Sequence, residues 1–539
     1  MSDRVGFVAG VSEAESVRRA VALLIGFLVM VPLTTGAAAR EDDPHELRTD
    51  LDGILEDPRL DGATVGVVVR DPETGRTLYS KHPHRRMTPA SNAKLLTSVA
   101  ALRVLGTGFR FHTRVLATGE RRGPVLAGDL YLRGTGDPSM LARDYRRLAE
   151  QVAEAGVEVV DGDLLADDTR FDDPELANGW MAVDEPYHYA APVSALTVAP
   201  DTDYDAGSVM VRVRPAAPGQ PVRVSTVPET AAIRVVNRAR TTTGDASGVS
   251  VHREHGSNRV VVSGGMSSTA RPRRFFRSVP DPTRYALDVF HSALERHGVS
   301  VRGRTDTSRV PEHARVLAEH RSMPLGRLLV PFLKLSNNGH AETLVKTMGQ
   351  RVAGEGSWRA GLRVLRRELA ELGLDPRGYR LVDGSGLSTL NTMSPGQLAR
   401  LLDVVREQPW FDRWRSALPV AGLSERMVGG TLRGRMVGTA AEGNVTAKTG
   451  SMTGVSALSG YVHTSTGREL VFSVVFNDFL GTPPRDVQDA LAVRLATHGS
   501  PPGQRRPEEG SVSDGGPEGV VRGEAPFDSP IECSWVKSC

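Results

Sequence analysis

Two hairpin-and-helix patterns stand at opposite ends of this 539-residue chain, and they restrict its fold more than any other feature. Near the N-terminus, Thr64-Val65-Gly66-Val67-Val68-Val69 is followed by a turn with Pro72 and Gly75 and then by Thr77-Leu78-Tyr79. Runs of β-branched residues around a Pro/Gly turn read as a β-hairpin. The hairpin leads into Leu95, Leu96, Val99, Leu102 and Leu105, apolar residues at helical spacing. Near the other end, Ser456 to Val462 and Leu470 to Phe476 flank a Ser465-Thr466-Gly467 turn, and a helical segment runs from Val487 to His498. Strands supplied from both ends suit a single sheet with helices across it.

Between these ends the pattern changes. From residue 112 to about 285, short strand-like pieces such as Val209 to Val213, Ala232 to Val236 and Arg259 to Val262 alternate with Gly, Pro, Asp and Thr clusters. This reads as inserted, β-rich material. A helical segment spans Arg284 to Gly298, and helices resume from about Leu325. At the start, Arg18-Arg19 precede an apolar run from Ala20 to Leu33 and the small residues up to Ala39. That order is a secretory signal peptide, expected over 1–39, with an uncleaved anchor as the alternative. The run falls short of the roughly 20 residues of a comfortable membrane span. After Pro501 the chain is rich in Gly, Pro, Ser and Glu, so residues 501–539 are expected to be a disordered tail. Both cysteines, Cys533 and Cys539, fall in that tail, so neither disulfides nor Cys-based metal sites hold the body together. With 66 basic against 64 acidic residues, no global field favours nucleic acid.

The chemistry begins at Ser91-Asn92-Ala93-Lys94, which falls where the first helix starts. Three residues apart, the Ser91 hydroxyl and the Lys94 amine share one helix face. A serine hydroxyl needs a neighbouring base to become a nucleophile. Lys94 serves only if its amine can lose a proton, which a guanidinium cannot. Only six of the 66 Lys and Arg residues are lysines (Lys81, Lys94, Lys334, Lys346, Lys448 and Lys537), so the chain keeps Arg wherever a fixed charge suffices. By itself S-x-x-K means little, since Ser534-Trp535-Val536-Lys537 matches it too.

Company further along gives the motif weight. Ser336-Asn337-Asn338 is the only S-x-N in the chain and Lys448-Thr449-Gly450 the only K-T-G. S-x-x-K, S-x-N and K-T-G in that order form an acyl-transfer set. Ser91 would attack a carbonyl and Lys94 take its proton. The N–H groups of Ser91 and Ser451 would hold the oxyanion. Ser336 would pass a proton to the departing amine. Asn338 would hold a substrate amide with both ends of its side chain. Lys448 would bind a terminal carboxylate and, as a nearby cation, favour the neutral form of Lys94. Thr449 would bond the same carboxylate, and Gly450 would let backbone and ligand approach.

With these motifs the chain resembles the low-molecular-mass class C penicillin-binding proteins, the D-alanyl-D-alanine carboxypeptidase/endopeptidases, over about residues 45–498. The resemblance extends to Gly134-Thr135-Gly136-Asp137-Pro138-Ser139, Ala191 to Leu196, Asp383-Gly384-Ser385-Gly386-Leu387-Ser388, Leu418 to Gly422 and Gly430-Thr431-Leu432. It implies an α/β (α+β) fold, a β-lactamase/transpeptidase-like sheet flanked by helices, with two nested β-rich inserted domains. The expected division is a penicillin-binding serine peptidase domain over 40–111 and 321–500, an inserted domain over 112–196 and 286–320, and a second nested at 197–285. It also implies action on peptidoglycan stem peptides, cleavage of peptide crosslinks and acylation by β-lactam antibiotics. No cofactor, metal or nucleic-acid partner is expected. The location is the extracellular face or cell wall, with loose membrane association open beside free secretion.

Two other readings compete. A serine β-lactamase of class A would carry a Glu with Asn four residues on between its last two motifs, and no Glu between Ser336 and Lys448 does. A catalytically idle cell-wall-binding protein on the same fold is the second. Gly134-Thr135-Gly136 reads as a turn rather than a nucleotide loop. His252 and His255 read as solvated loop residues, Asp383 to Gly386 as a tight turn that the resemblance sets near the site, and Lys334 as either a motif neighbour or a helix-surface charge.

Overall fold

In the computed structural model the two terminal hairpins join into one antiparallel sheet. Across it run Thr77–Lys81, Thr64–Arg70, Glu469–Asn477, Val455–His463 and Thr446–Met452. Thr64 pairs with Asn477 and Arg70 with Val471, so residues some 400 positions apart fix the register at the sheet's centre. The structure describes residues 44–173, 175–244 and 248–500. The expected signal segment, the tail and Cys533 and Cys539 lie outside the described residues.

The central strands are apolar on both faces because both are covered. In Glu469–Asn477, Leu470, Phe472, Val474 and Phe476 enter one core, while Val471 and Val475 enter another. Side chains alternate with period two, so this alternation assigns each face its own layer. The first layer is roofed by the helices Pro44–Ile54 and Arg485–Ala496, through Leu47, Leu51, Leu491 and Leu495. The second holds the helix Ala93–Leu105 against Asn338–Ala353 and Trp358–Glu371. Residues 93–102 of that central helix are all buried, which is why its sequence lacks a polar face. Leu95, Leu96, Val99 and Leu102 each contribute roughly 1.5–3 kcal/mol of apolar burial there.

The sheet is left after the Ala93–Leu105 helix and regained at the helix Leu325–Lys334. The first and last strands of this excursion, His112–Ala117 and Arg315–Arg321, pair antiparallel, so it begins and ends side by side. They belong to a five-stranded sheet with Leu130–Gly134, Leu164–Asp167 and Thr305–Thr307. Further in, Ser208–Arg214 pairs with Arg223–Val227 and Arg273–Ser278. One apolar core runs through these pieces, Thr305–Thr307 excepted, which is exposed along its length. The β-rich reading of this stretch passes over the helix Ala142–Glu154, whose buried Tyr145, Leu148, Ala149 and Val152 have helical spacing. It packs on Pro282–Arg296, the helix that the sequence places at Arg284 to Gly298. Among the described residues, no helix is long and apolar enough to cross a membrane.

Candidate active site

Ser91 sits in a single 3-10 turn, Ala90–Asn92, that runs directly into the Ala93–Leu105 helix. Ala90 has φ 45°, a left-handed backbone that alanine adopts only at a cost of about 1–2 kcal/mol. Such strain at the residue before a candidate nucleophile is characteristic of a functional turn held by its surroundings. Lys94 is fully buried, and its Nζ donates to Ser91 Oγ at 2.8 Å and to the Ser385 carbonyl at 2.8 Å.

Ser336 follows the Leu325–Lys334 helix at φ 61°, again left-handed, and precedes the helix that Asn338 begins. The buried Lys448 donates from Nζ to Ser336 Oγ and to the Thr449 carbonyl, each at 2.8 Å. Ser91 Oγ and Ser336 Oγ thus each accept from a lysine amine. The sequence sets K-T-G between two strand-like segments, whereas the structure has it inside the edge strand Thr446–Met452. Lys448 and Gly450 fall on the same face of that strand. A Cβ at Gly450 would stand 2.8 Å from the Pro89 carbonyl oxygen and 3.0 Å from Asn92 Nδ2, so the strand passes the Ser91 turn at backbone contact. Only glycine allows that approach.

A cleft opens over these groups, lined by Ser91, Ser336, Asn338, Thr449, Gly450 and Ser451, with Tyr189 and Tyr204 contributed by the excursion. Asn338 Nδ2 donates to the Tyr189 carbonyl at 2.8 Å, and its buried Oδ1 has no partner, an acceptor left for an incoming N–H. Lys94 and Lys448 stand beneath this lining. All eight residues singled out in the sequence are therefore brought together.

Other groups at the site stand outside those eight. Thr431 Oγ1 lies 2.7 Å from Thr449 Oγ1 and lines the cleft. The Asp383–Gly386 segment is more than a tight turn, since it presents the Ser385 carbonyl to Lys94. Lys334 is not a surface charge: it is buried and donates to the carbonyls of Leu418 and Val428. Burial lowers its pKa to about 8. The wall around Tyr204 is tied down by Asn337 Nδ2 on the Asp203 carbonyl at 2.7 Å and by Arg426 on the Asp203 carboxylate at 2.6 Å. His340, held neutral by burial with a pKa near 4, donates from Nε2 to the Tyr204 carbonyl at 2.9 Å.

Elsewhere, His252 lies on the strand Ser250–Arg253 rather than in a loop, and His255 bonds Glu185 at 3.0 Å. Among the described residues, no group of three or more His, Cys, Asp and Glu is placed to hold a metal ion.

Comparison with known proteins places this geometry. The profile of the D-Ala-D-Ala carboxypeptidase 3 (S13) family matches residues 47–498. A D-alanyl-D-alanine carboxypeptidase of Actinomadura sp. (strain R39) is 46% identical over 532 residues, covering 97% of this chain and 96% of that one. The D-alanyl-D-alanine carboxypeptidase DacB of Haemophilus influenzae is 26% identical over 428 residues, covering 78% of this chain and 86% of its own. The crystal structure of penicillin binding protein 4 (dacB) from Haemophilus influenzae superposes with a TM-score of 0.71 at 24% identity, covering 83% of this chain and 98% of that one. The same protein complexed with a novel β-lactam gives a TM-score of 0.66.

Proposed function

The chain belongs to the D-Ala-D-Ala carboxypeptidase 3 (S13) family of serine-type D-alanyl-D-alanine carboxypeptidases, and from that premise we propose that Ser91 forms an acyl-enzyme with peptidoglycan stem peptides. The observation that carries this reading is the fully buried Lys94 amine 2.8 Å from Ser91 Oγ. Burial favours the neutral amine, the form that can accept a proton.

Ser91 Oγ attacks the carbonyl carbon of the penultimate D-alanine as its proton passes to Lys94 Nζ. The N–H groups of Ser91 and Ser451 receive the oxyanion. Collapse breaks the C–N bond, and the leaving D-alanine takes its proton through the Ser336 hydroxyl, against which Lys448 rests. Lys94, having given up its first proton along that path, takes one from the water that cleaves the ester and returns it to the departing Ser91 Oγ. Thr449 and Thr431 receive the substrate's terminal carboxylate over the positive charge of Lys448, and Gly450 keeps the strand close enough for them to reach it. Asn338 holds the substrate's upstream amide.

The same steps release the amine of a crosslinked peptide, which is endopeptidase action. With a penicillin the amine stays tethered after ring opening and the acyl-enzyme persists. Substrate of this kind places the enzyme outside the cytoplasmic membrane, exported by the 1–39 segment, either free or loosely held at the membrane. The pairing of His112–Ala117 with Arg315–Arg321 supports a division into a catalytic body at 40–111 and 321–500 and an insertion between, with the 197–285 segment nested inside it.

The test is a denaturing gel of the purified chain and its Ser91→Ala variant after exposure to a fluorescent penicillin, followed by an assay of D-alanine release. A stable band in the wild type alone, with D-alanine released, is expected. Consumption of the penicillin without a band would make it a β-lactamase, and neither band nor consumption an idle binding protein.

A further inference from the structure

Two buried carboxylates behind the cleft have no part in the chemistry above. Glu342, on the Asn338–Ala353 helix, and Asp383 are both fully buried. Glu342 accepts the Ser385 N–H at 2.7 Å on Oε1, and the Gly384 N–H and the Trp358 indole N–H, each at 2.8 Å, on Oε2. Asp383 accepts the Gly386 N–H at 2.8 Å and the Asn391 amide at 2.7 Å on Oδ1. On Oδ2 it accepts the Ser388 N–H at 2.7 Å and the Trp180 indole N–H at 3.1 Å. All seven donors are neutral.

Burying two carboxylates without a cation is expensive, and stability alone favours apolar groups in such a place. What the pair achieves is directional. The N–H groups of Gly384, Ser385, Gly386 and Ser388 all turn toward the carboxylates. The carbonyls of Gly384 and Ser385 turn the other way, onto Thr97 Oγ1 at 2.7 Å and Lys94 Nζ at 2.8 Å. The segment is a plate clamped on one side and reading out on the nucleophile helix on the other.

We propose that Glu342 and Asp383 are positioning residues for Lys94: by clamping the 383–388 segment they hold the Ser385 carbonyl on one N–H of the amine, which keeps Nζ within proton-transfer distance of Ser91 Oγ. This rests on the reading of Lys94 as the base. Burial, and for Glu342 also the charge of Asp383, raises both carboxyl pKa values.

The test is the rate constant of Ser91 acylation by a chromogenic penicillin, normalised to titrated active sites, together with the dissociation constant of the preceding complex. Glu342→Gln turns an amide N–H₂ toward backbone donors and releases the plate. It should slow acylation about 100-fold, the cost of misplacing a reacting group by an ångström, with the dissociation constant within about twofold. Asp383→Asn should act in the same direction and carries the test if Glu342→Gln does not fold. Trp414→Phe removes a buried bond to Ser98 on the same helix, and should lower the melting temperature but leave the rate per active site unchanged. Rates within threefold of wild type in both carboxylate variants would overturn the proposal, as would equal slowing in Trp414→Phe. Failure of the wild type itself to acylate would instead overturn the Ser91 reading on which this one stands.

Discussion

Replacing Gly386 with alanine should damage catalysis without touching any group of the cleft. Gly386 has φ 84°, and a Cβ there would fall 1.9 Å from the Ala90 carbonyl oxygen. Even to reach 3.0 Å, the closest that real Cβ contacts come, Ala90 or the 383–388 segment must shift by 1.1 Å (3.0 − 1.9). Ala90 is bonded to Ser91 and is itself in left-handed backbone, so it has no slack to absorb the shift. The left-handed alanine costs about 1–2 kcal/mol and the overlap about 1–3 kcal/mol more. A displacement near 1 Å at a reacting atom costs about 100-fold in rate. Gly373 is the control: at φ 83° its Cβ would meet nothing nearer than Arg400 Nη2 at 3.6 Å. Gly373→Ala should lose about 1 kcal/mol and no activity. The assay is urea unfolding alongside the acylation rate per titrated site. Gly386→Ala acylating within threefold of wild type would refute the reasoning, and so would comparable slowing in Gly373→Ala.

Lys94→Arg should reduce acylation by about a thousandfold or more, because a guanidinium cannot act as base; burst kinetics with a penicillin would reveal it. Thr431→Val removes one hydroxyl beside Thr449 and should raise KM for the stem peptide about tenfold with little change in kcat, read from initial rates of D-alanine release. The pKa of Lys334 falls from 10.5 to about 8 on folding. Between those values the unfolded chain binds more protons than the native one, so stability should rise with pH from about 8 to 10.5. Lys334→Met should flatten that rise in urea midpoints taken across the same range.

The parts legible in the sequence were those with a local signature. Runs of β-branched and aromatic residues marked the strands Thr64–Arg70 and Glu469–Asn477, and three motifs in a fixed order marked the site residues that the fold gathers. What escaped lacks such a signature. Glu342 looks like any helix glutamate until its neighbours are known, because its partners are backbone N–H groups 42 and 43 residues away. For Lys334 the sequence leaves a motif neighbour and a helix-surface charge equally open, because its acceptors are carbonyls 84 and 94 residues off. The Ala142–Glu154 helix was overlooked because charged residues outnumber its apolar stripe and strands surround it. Lys448 was placed correctly in sequence order, but its strand, K-T-G included, is continuous because pairing with Val455–His463 outweighs the poor strand propensity of glycine.

The side-by-side pairing of His112–Ala117 with Arg315–Arg321 has a consequence for the order in which the enzyme is assembled. As the chain is made, the excursion can close on its own boundary strands once residue 321 is available. The catalytic sheet cannot, because its centre needs Glu469–Asn477 to lie against Thr64–Arg70. Contacts that span such distances form late. Ser91 is therefore synthesised early but armed last. Until the final hairpin arrives, Ser336 lacks Lys448, the cleft lacks one wall, and a nascent or truncated chain carries the nucleophile without the means to use it.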